Sequence, residues 1–414
     1  MTDHWGQDRA EPVAVGPPRR RMTRADRIRA ARNRRKRRIA GGAAIGVLIV
    51  VVVGAVFLGS RLWHSFFGGT TDFTGDGVND VVIQVHDGDT TTAIGQTLQD
   101  HNVVATAAAF VDAAQGNEAI AAIQPGFYKL RTEISAANAV QRLADPQNRV
   151  GKLTIPEGRQ LDDVRDVKTD AVTQGILSLI ADASCVDLDG ERTCVSADAL
   201  REVAATASLD ALKVPEWAVA PATMMGDDHR RLEGLIAAGT WNIDPSADPQ
   251  EILSTLISAS AERYAQAGLL KMATAMNMSP YQILTVGSLV QRESNPEDFD
   301  KVARVIYNRL AQDRTLEFDS TVNYPLDRVE VSTTDNDRAQ HNPWNTYVRP
   351  GLPATPICSP GQPALQAAER PADGDWLYFV TVDMEGTTLF TREYDQHLEN
   401  IEIARRNGVL DSAR

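Results

Sequence analysis

The feature that most constrains this chain is Ile39–Gly59, 21 residues without a charge or a strong polar group. As a helix rising about 1.5 Å per residue it would be about 31 Å long, the thickness of a bilayer core. The run is apolar on every face and follows six charges in the seven residues Arg32–Arg38, which suits a buried core helix poorly. A cleaved signal peptide also fits poorly, because a long stretch precedes the run and no small-x-small site is clear before "SRLWHSFF". The reading is an uncleaved anchor in the plasma membrane. Lys and Arg stay on the cytoplasmic side, which puts the N-terminus inside and the chain from Arg61 onward outside the cell.

Charge supports that division. Residues 1–38 carry thirteen Lys and Arg against four Asp and Glu, while the other 376 residues carry 29 against 51. A body this acidic repels phosphate backbones, so no nucleic-acid partner is expected. The basic run reads as a topology signal with some attraction to anionic lipid. Cys185 and Cys194 flank "VDLDGERT", whose Asp189-Gly190 forms a natural turn. They are a disulfide candidate in an oxidising compartment, or else two surface thiols. Cys358 is left over, and no Cys/His ligand spacing calls for a metal or other cofactor.

Beyond the anchor, Thr70–Asp80 reads as a linker, since its resemblance to a calcium loop lacks the closing glutamate. Val81–Val85 reads as a strand, Asp89 or Thr90 as a helix cap, Ile94 and Leu98 as an inward face, Thr106–Ala114 as a second helix and Gly126–Leu130 as a returning strand. This strand-helix-helix-strand order is the plan of a small LysM-like module. Lys152–Ile155, the turn Pro156-Glu157-Gly158 and a helix led by Leu161 and Val164 suggest a second such module, interrupted by an insertion over residues 181–228. From Asp248 the pattern is strongly helical, with one helix ending at Gly268 and another starting at Ser279-Pro280.

On that last helix Ile283, Val286 and Val290 share one apolar row, and Glu293 is its next member. A carboxylate on a core-facing row is desolvated, which raises its pKa and suits it to general acid work; a frayed helix end would instead expose it, and periodicity alone leaves both open. Asn295-Pro296-Glu297-Asp298 caps a further helix with Phe299, Val302 and Ile306 inward. "LEFDSTVNYPL" then offers Glu317, Asp319, Thr321 and Tyr324. Asn342–Pro363 holds six prolines and displays Trp344, Asn345, Thr346 and Tyr347, either a platform for sugar rings or a rigid wrap around the domain.

In this order, "VHDGDTTTAIGQTLQDHNVV", "IQPGFYKL", "LTIPEG", "LEGLIAAGTWNI", "SLVQRES", "VARVIYNRL", "FDSTVNYPL", "NPWNTYVRPGLPATPICSPG" and "LYFVTVDMEGTTLFTREYDQH" resemble the MltG (YceG-like) endolytic murein transglycosylases. The resemblance implies a membrane-anchored lytic enzyme that cuts MurNAc-GlcNAc bonds of nascent peptidoglycan, leaves 1,6-anhydro-MurNAc ends and so terminates strand elongation. It places the catalytic acid/base on Glu293, has Gln291 where a further glutamate is usual, puts Glu317 in a glutamine's place and Glu233 in the "LEG" segment. It suggests Asp319, Thr321, Asn345, Thr346 and Tyr347 as substrate-binding residues. Cell-wall synthases would be partners. A hydrolase using Glu293 with Asp319 or Glu317, and a non-catalytic peptidoglycan-binding scaffold, are the competing readings.

The expected architecture is α+β: a cytoplasmic tail over 1–38, one transmembrane helix over 39–59, a linker over 60–80, LysM-like α/β modules over 81–150 and 151–245, and a YceG-like α+β catalytic domain over 246–414.

Overall fold

The computed structural model describes residues 71–409 except 167–168, 327 and 330–332, with the backbone alone at 328–329. The expected tail, transmembrane helix and first part of the linker lie outside the described residues. No helix among the described residues is long and apolar enough to cross a membrane.

β1 (Asp80–Val85) pairs antiparallel with β2 (Gly126–Arg131), from Asp80 opposite Arg131 to Val85 opposite Gly126. Between them run α1 (Thr91–Asp100) and α2 (Ala107–Ala114), started by Thr90 and Thr106, whose side chains accept the amide hydrogens of Ala93 and Ala109. α3 (Ala136–Ala144) follows, and β3 (Arg149–Val150) adds to the free side of β2. Ile83, Leu98, Phe110, Leu130, Ile134 and Val140 close a core belonging to this unit alone. Residues 72–79, expected as linker, lie along its edge: Asp72 accepts the Ala136 amide at 3.0 Å, and the Val78 amide donates to the Thr132 carbonyl at 3.0 Å.

Gly151 turns the chain out of this unit. Its φ is +66°, and a Cβ there would lie 1.9 Å from the Ile243 carbonyl oxygen, which only glycine permits. β4 (Lys152–Ile155) then pairs antiparallel with β9 (Gly239–Asn242), far along the chain. The intervening residues form β5 (Val164–Asp166) with β6 (Val172–Thr173), α4 (Ile176–Ala183), the hairpin β7 (Val186–Leu188) and β8 (Glu191–Thr193), and α5 (Ala197–Thr206). Cys185 and Cys194 are disulfide-bonded at the base of that hairpin. Its tip docks on β1, where the Asp80 amide donates to Asp189 at 2.8 Å and the Asp189 amide to Asp80 at 2.9 Å.

Two expectations change here. The helix led by Leu161 and Val164 does not form, because the backbone that would start it has tertiary partners. The Leu161 amide donates to Glu233, the Gln160 carbonyl accepts from Ile176, and Asp163 accepts from Gly175. The segment 151–245 also has no core of its own. Leu153, Ile155, Leu161, Ile176 and Ile180 share one continuous core with Leu253, Ile283, Val290, Val302 and Ile306.

The second half of that core comes from α6 (Pro249–Ala267), α7 (Pro280–Glu293), α8 (Phe299–Leu310) and, after the short α9 (Asp319–Asn323) and α10 (Asp335–Arg338), which add nothing to it, α11 (Gln362–Glu369). The α7 start is a capping box in which Ser279 and Gln282 exchange hydrogen bonds. A hairpin, β10 (Tyr378–Thr381) with β11 (Thr388–Thr391), and α12 (Tyr394–Arg406) complete the α+β unit.

Candidate active site

α7 is buried on all sides from Ile283 to Val290, so its axis is fixed by packing and its last residue is carried to a set place. That residue is Glu293. Ser294 breaks the helix with an extended backbone, and Glu293 ends half-buried. Ser320, on the first turn of α9, donates its hydroxyl to Glu293 Oε1. Burial drives the Glu293 pKa up to about 7, and the negative charge of Asp319 adds to the rise; Ser320 and the Arg292 charge oppose it. Glu293 therefore carries a proton over much of the neutral range, as a general acid must.

Asp319 stands beside Ser320 and is held by four hydrogen bonds from three residues. It accepts from Tyr347 Oη at 2.7 Å, Thr333 Oγ1 at 2.6 Å, and Arg338 Nε and Nη2 at 3.2 Å each. Burial and the Asp319 charge keep the Tyr347 phenol protonated far above its ordinary range. Because Asp319 supports the proton on Glu293, Asp319→Asn should lower the Glu293 pKa and move the alkaline fall of kcat/KM to lower pH. Ser320→Ala, which removes a donor to the carboxylate, should move it higher. A pH-rate profile of the two variants reads both shifts, and shifts of the same sign would refute this assignment.

A second acid lies behind α9. Glu233 is fully buried and accepts from the Leu161 amide at 3.0 Å, the Gly234 amide at 3.3 Å and Tyr324 Oη at 2.7 Å. Burial outweighs these donors and raises its pKa to about 7. The folded chain then keeps a proton that the unfolded chain releases near its ordinary 4.5. Stability falls as pH rises between those two values, by on the order of 3 kcal/mol for this group. Glu233→Gln should flatten that part of the slope in urea unfolding at a series of pH values; an unchanged slope would contradict it.

The residues expected to bind substrate divide into two sets. Asp319 and Tyr347 stand together at Glu293. Thr321, Asn345 and Thr346 are 0%, 0% and 1% exposed, so they do not reach a ligand. Thr321 Oγ1 lies 2.8 Å from Thr346 Oγ1, and Thr346 Oγ1 accepts the Phe318 amide at 3.1 Å, which pins the loop to the start of α9. Asn345 Nδ2 donates to the Arg338 and Gln340 carbonyls at 3.0 and 2.6 Å, while its Oδ1 accepts the Tyr347 amide at 2.9 Å. Trp344 is also interior, its indole donating to Thr355 Oγ1 at 2.7 Å and its ring edge-on to Tyr324. The proline-rich segment is thus a framework that offers Tyr347 alone to the site. Glu317 turns away to Thr315 and Arg309. Ser320, Thr333 and Arg338 were missed: Ser320 adjoins Asp319 in the motif, whereas nothing local marks the other two. No cluster suited to a metal ion occurs among the described residues.

The YceG-like family model matches residues 83–403. The chain belongs to the YceG-like family. It is 25% identical over 335 residues to the endolytic murein transglycosylase of Streptococcus pneumoniae strain D39, covering 78% of this chain and 58% of that one. It is 26% identical over 330 residues to the endolytic murein transglycosylase of Bacillus subtilis, covering 78% of this chain and 84% of that one. The crystal structure of a yceG-like protein from Listeria monocytogenes matches with a TM-score of 0.50 at 22% identity, over 77% of this chain and 98% of that one, which shows a shared fold. In this YceG-like chain the Glu293, Ser320, Asp319 and Tyr347 group falls within the matched residues, as does Glu233.

Proposed function

We propose that this chain is a lytic transglycosylase that cuts peptidoglycan glycan strands internally, with Glu293 as its acid and then its base. The observation that carries the reading is the half-buried Glu293 carboxyl at the end of a packed helix, with one oxygen already engaged by Ser320 and a pKa raised to about 7. The acid's proton then sits on Oε2. Glu293 gives it to the glycosidic oxygen between MurNAc and GlcNAc, the C1–oxygen bond breaks, and the N-acetyl oxygen of the same MurNAc stabilises the positive centre. The carboxylate so formed takes the proton of the C6 hydroxyl, whose oxygen bonds to C1. A 1,6-anhydro ring closes without water, and Glu293 ends protonated again. One acid suffices because the substrate supplies the second group.

Asp319 is a poor water-activating base, because its oxygens are occupied by Arg338, Thr333 and Tyr347; Glu317 is engaged by Arg309 and Thr315. This favours the lytic route over hydrolysis. Tyr347, held in place by Asp319, is suited to orienting the acetamido group.

The reading extends to place and partners. The apolar Ile39–Gly59 run, after a basic tail, supports a single-pass plasma-membrane protein with its N-terminus in the cytoplasm, acting on nascent strands and ending their elongation. The unit around β1 and β2 would be a LysM-like glycan-binding module, and peptidoglycan synthases would work beside it. The test uses the whole chain in detergent with long, uncrosslinked glycan strands. Early products of intermediate length, each new end an anhydro-MurNAc, are expected. Release of single disaccharides from one end from the outset would overturn the endolytic claim.

A further inference from the structure

A cavity of about 340 Å³ adjoins the catalytic end of α7, lined by Glu157, Arg159, Gln160, Asp162 and Arg292 among others. Its walls are set by the backbone. Gly158 donates to the Ser359 carbonyl at 2.8 Å and Ser359 donates to the Arg159 carbonyl at 2.8 Å, so the Pro156–Arg159 turn is fastened to the proline-rich segment. Gly158 has φ +74°, and a Cβ there would lie 3.4 Å from Gln291 Cγ, so the turn sits against the last turn of α7. Gln291 in turn accepts the Gly361 amide at 2.8 Å. Arg159 and Arg292 are thereby brought to one cavity, and Arg292 precedes Glu293 in the chain.

The charges in this cavity are unevenly satisfied. Asp162 has His229 at 2.6 Å and Arg201 at 3.1 Å. Asp166 accepts from Thr169, and Glu157 is exposed to water. Arg159 Nε, by contrast, is enclosed and has no hydrogen-bond partner among the described residues. A buried donor left unpaired is costly and rare, and a guanidinium fork is matched in shape and charge by a carboxylate.

We propose that this cavity is a carboxylate subsite, in which Arg159 and Arg292 hold a carboxylate carried by the muramyl sugar on which Glu293 acts. The proposal rests on the peptidoglycan reading given above. Two sources share the chemistry: the lactyl carboxylate of a strand stripped of peptide, and the carboxylates of an attached stem peptide. Arg159 and Arg292 act in binding, so their loss raises KM more than it lowers kcat.

The test compares four strand preparations: stripped and peptide-bearing, each with its carboxylates free or converted to amides. The full chain in detergent is expected to prefer the free acid by about 10- to 100-fold in KM in one of the two pairs, as for a charged hydrogen bond. A preference within the stripped pair assigns the lactyl group, and one within the peptide-bearing pair assigns the stem peptide. Arg159→Gln with Arg292→Gln should erase the difference between free-acid and amidated strands, and Arg159→Lys should keep part of it. Calorimetric binding of the same strands to Glu293→Gln reads the preference without turnover. If the parent chain cuts nothing but binding still favours the free acid, the transglycosylase reading fails and the subsite stands. No preference in either pair, or one that survives both substitutions, overturns the subsite.

Discussion

Glu293→Gln is expected to lower glycan-strand cleavage by about 100- to 10,000-fold, the range for loss of a positioned acid/base. Gln has the same shape and can still accept from Ser320 through its carbonyl oxygen, so the α7 end and α9 should keep their places. What it lacks is the transferable proton. Thermal unfolding should be unchanged or slightly raised at neutral pH, because a carboxyl whose ionisation is disfavoured in the fold is gone. A folded variant with activity within tenfold of the parent would remove Glu293 from the mechanism, and would leave Asp319 as the nearest acid to examine.

Asn345→Ala is expected to have the second-largest effect, although Asn345 touches no ligand. Its amide ties the Arg338 and Gln340 carbonyls to the Tyr347 amide, and Arg338 and Tyr347 are two of the groups that hold Asp319. Truncation leaves buried polar groups unpaired at roughly 1–3 kcal/mol each. Urea unfolding should show a loss of several such units at most, since residues 337–347 are one part of a larger core. Activity should fall further than stability explains, with a lowered alkaline limb as the Asp319 charge drifts from Glu293. Full activity in a destabilised variant would show that the loop braces the fold and not the site.

How much of this was legible in the sequence depends on whether the cause was local. The row Ile283, Val286, Val290, Glu293 is a helical period, and a helix packed on all sides up to Val290 carries that period to a half-buried carboxyl with a raised pKa. The helix starts near Thr90, Thr106, Asp248 and Ser279 are equally local, and each helix begins close to where the pattern puts it. The helix expected after Gly158 failed for a remote reason, a hydrogen bond from Leu161 to Glu233. Trp344 and Asn345 look like a sugar platform because their chemistry suits one. Burial against Tyr324 and Thr355, and against the 337–340 turn, is what turns them inward, and neither contact has a sequence spacing to reveal it. Arg338 reaches Asp319 across a turn for the same reason.

The most direct test of the central claim is cleavage of glycan strands by the whole chain in water enriched in heavy oxygen, with the new ends weighed by mass spectrometry. A ring closed by the sugar's own C6 hydroxyl takes nothing from the solvent, so the account predicts anhydro ends with no heavy oxygen. Reducing ends that carry one heavy oxygen apiece would contradict it and make the enzyme a hydrolase.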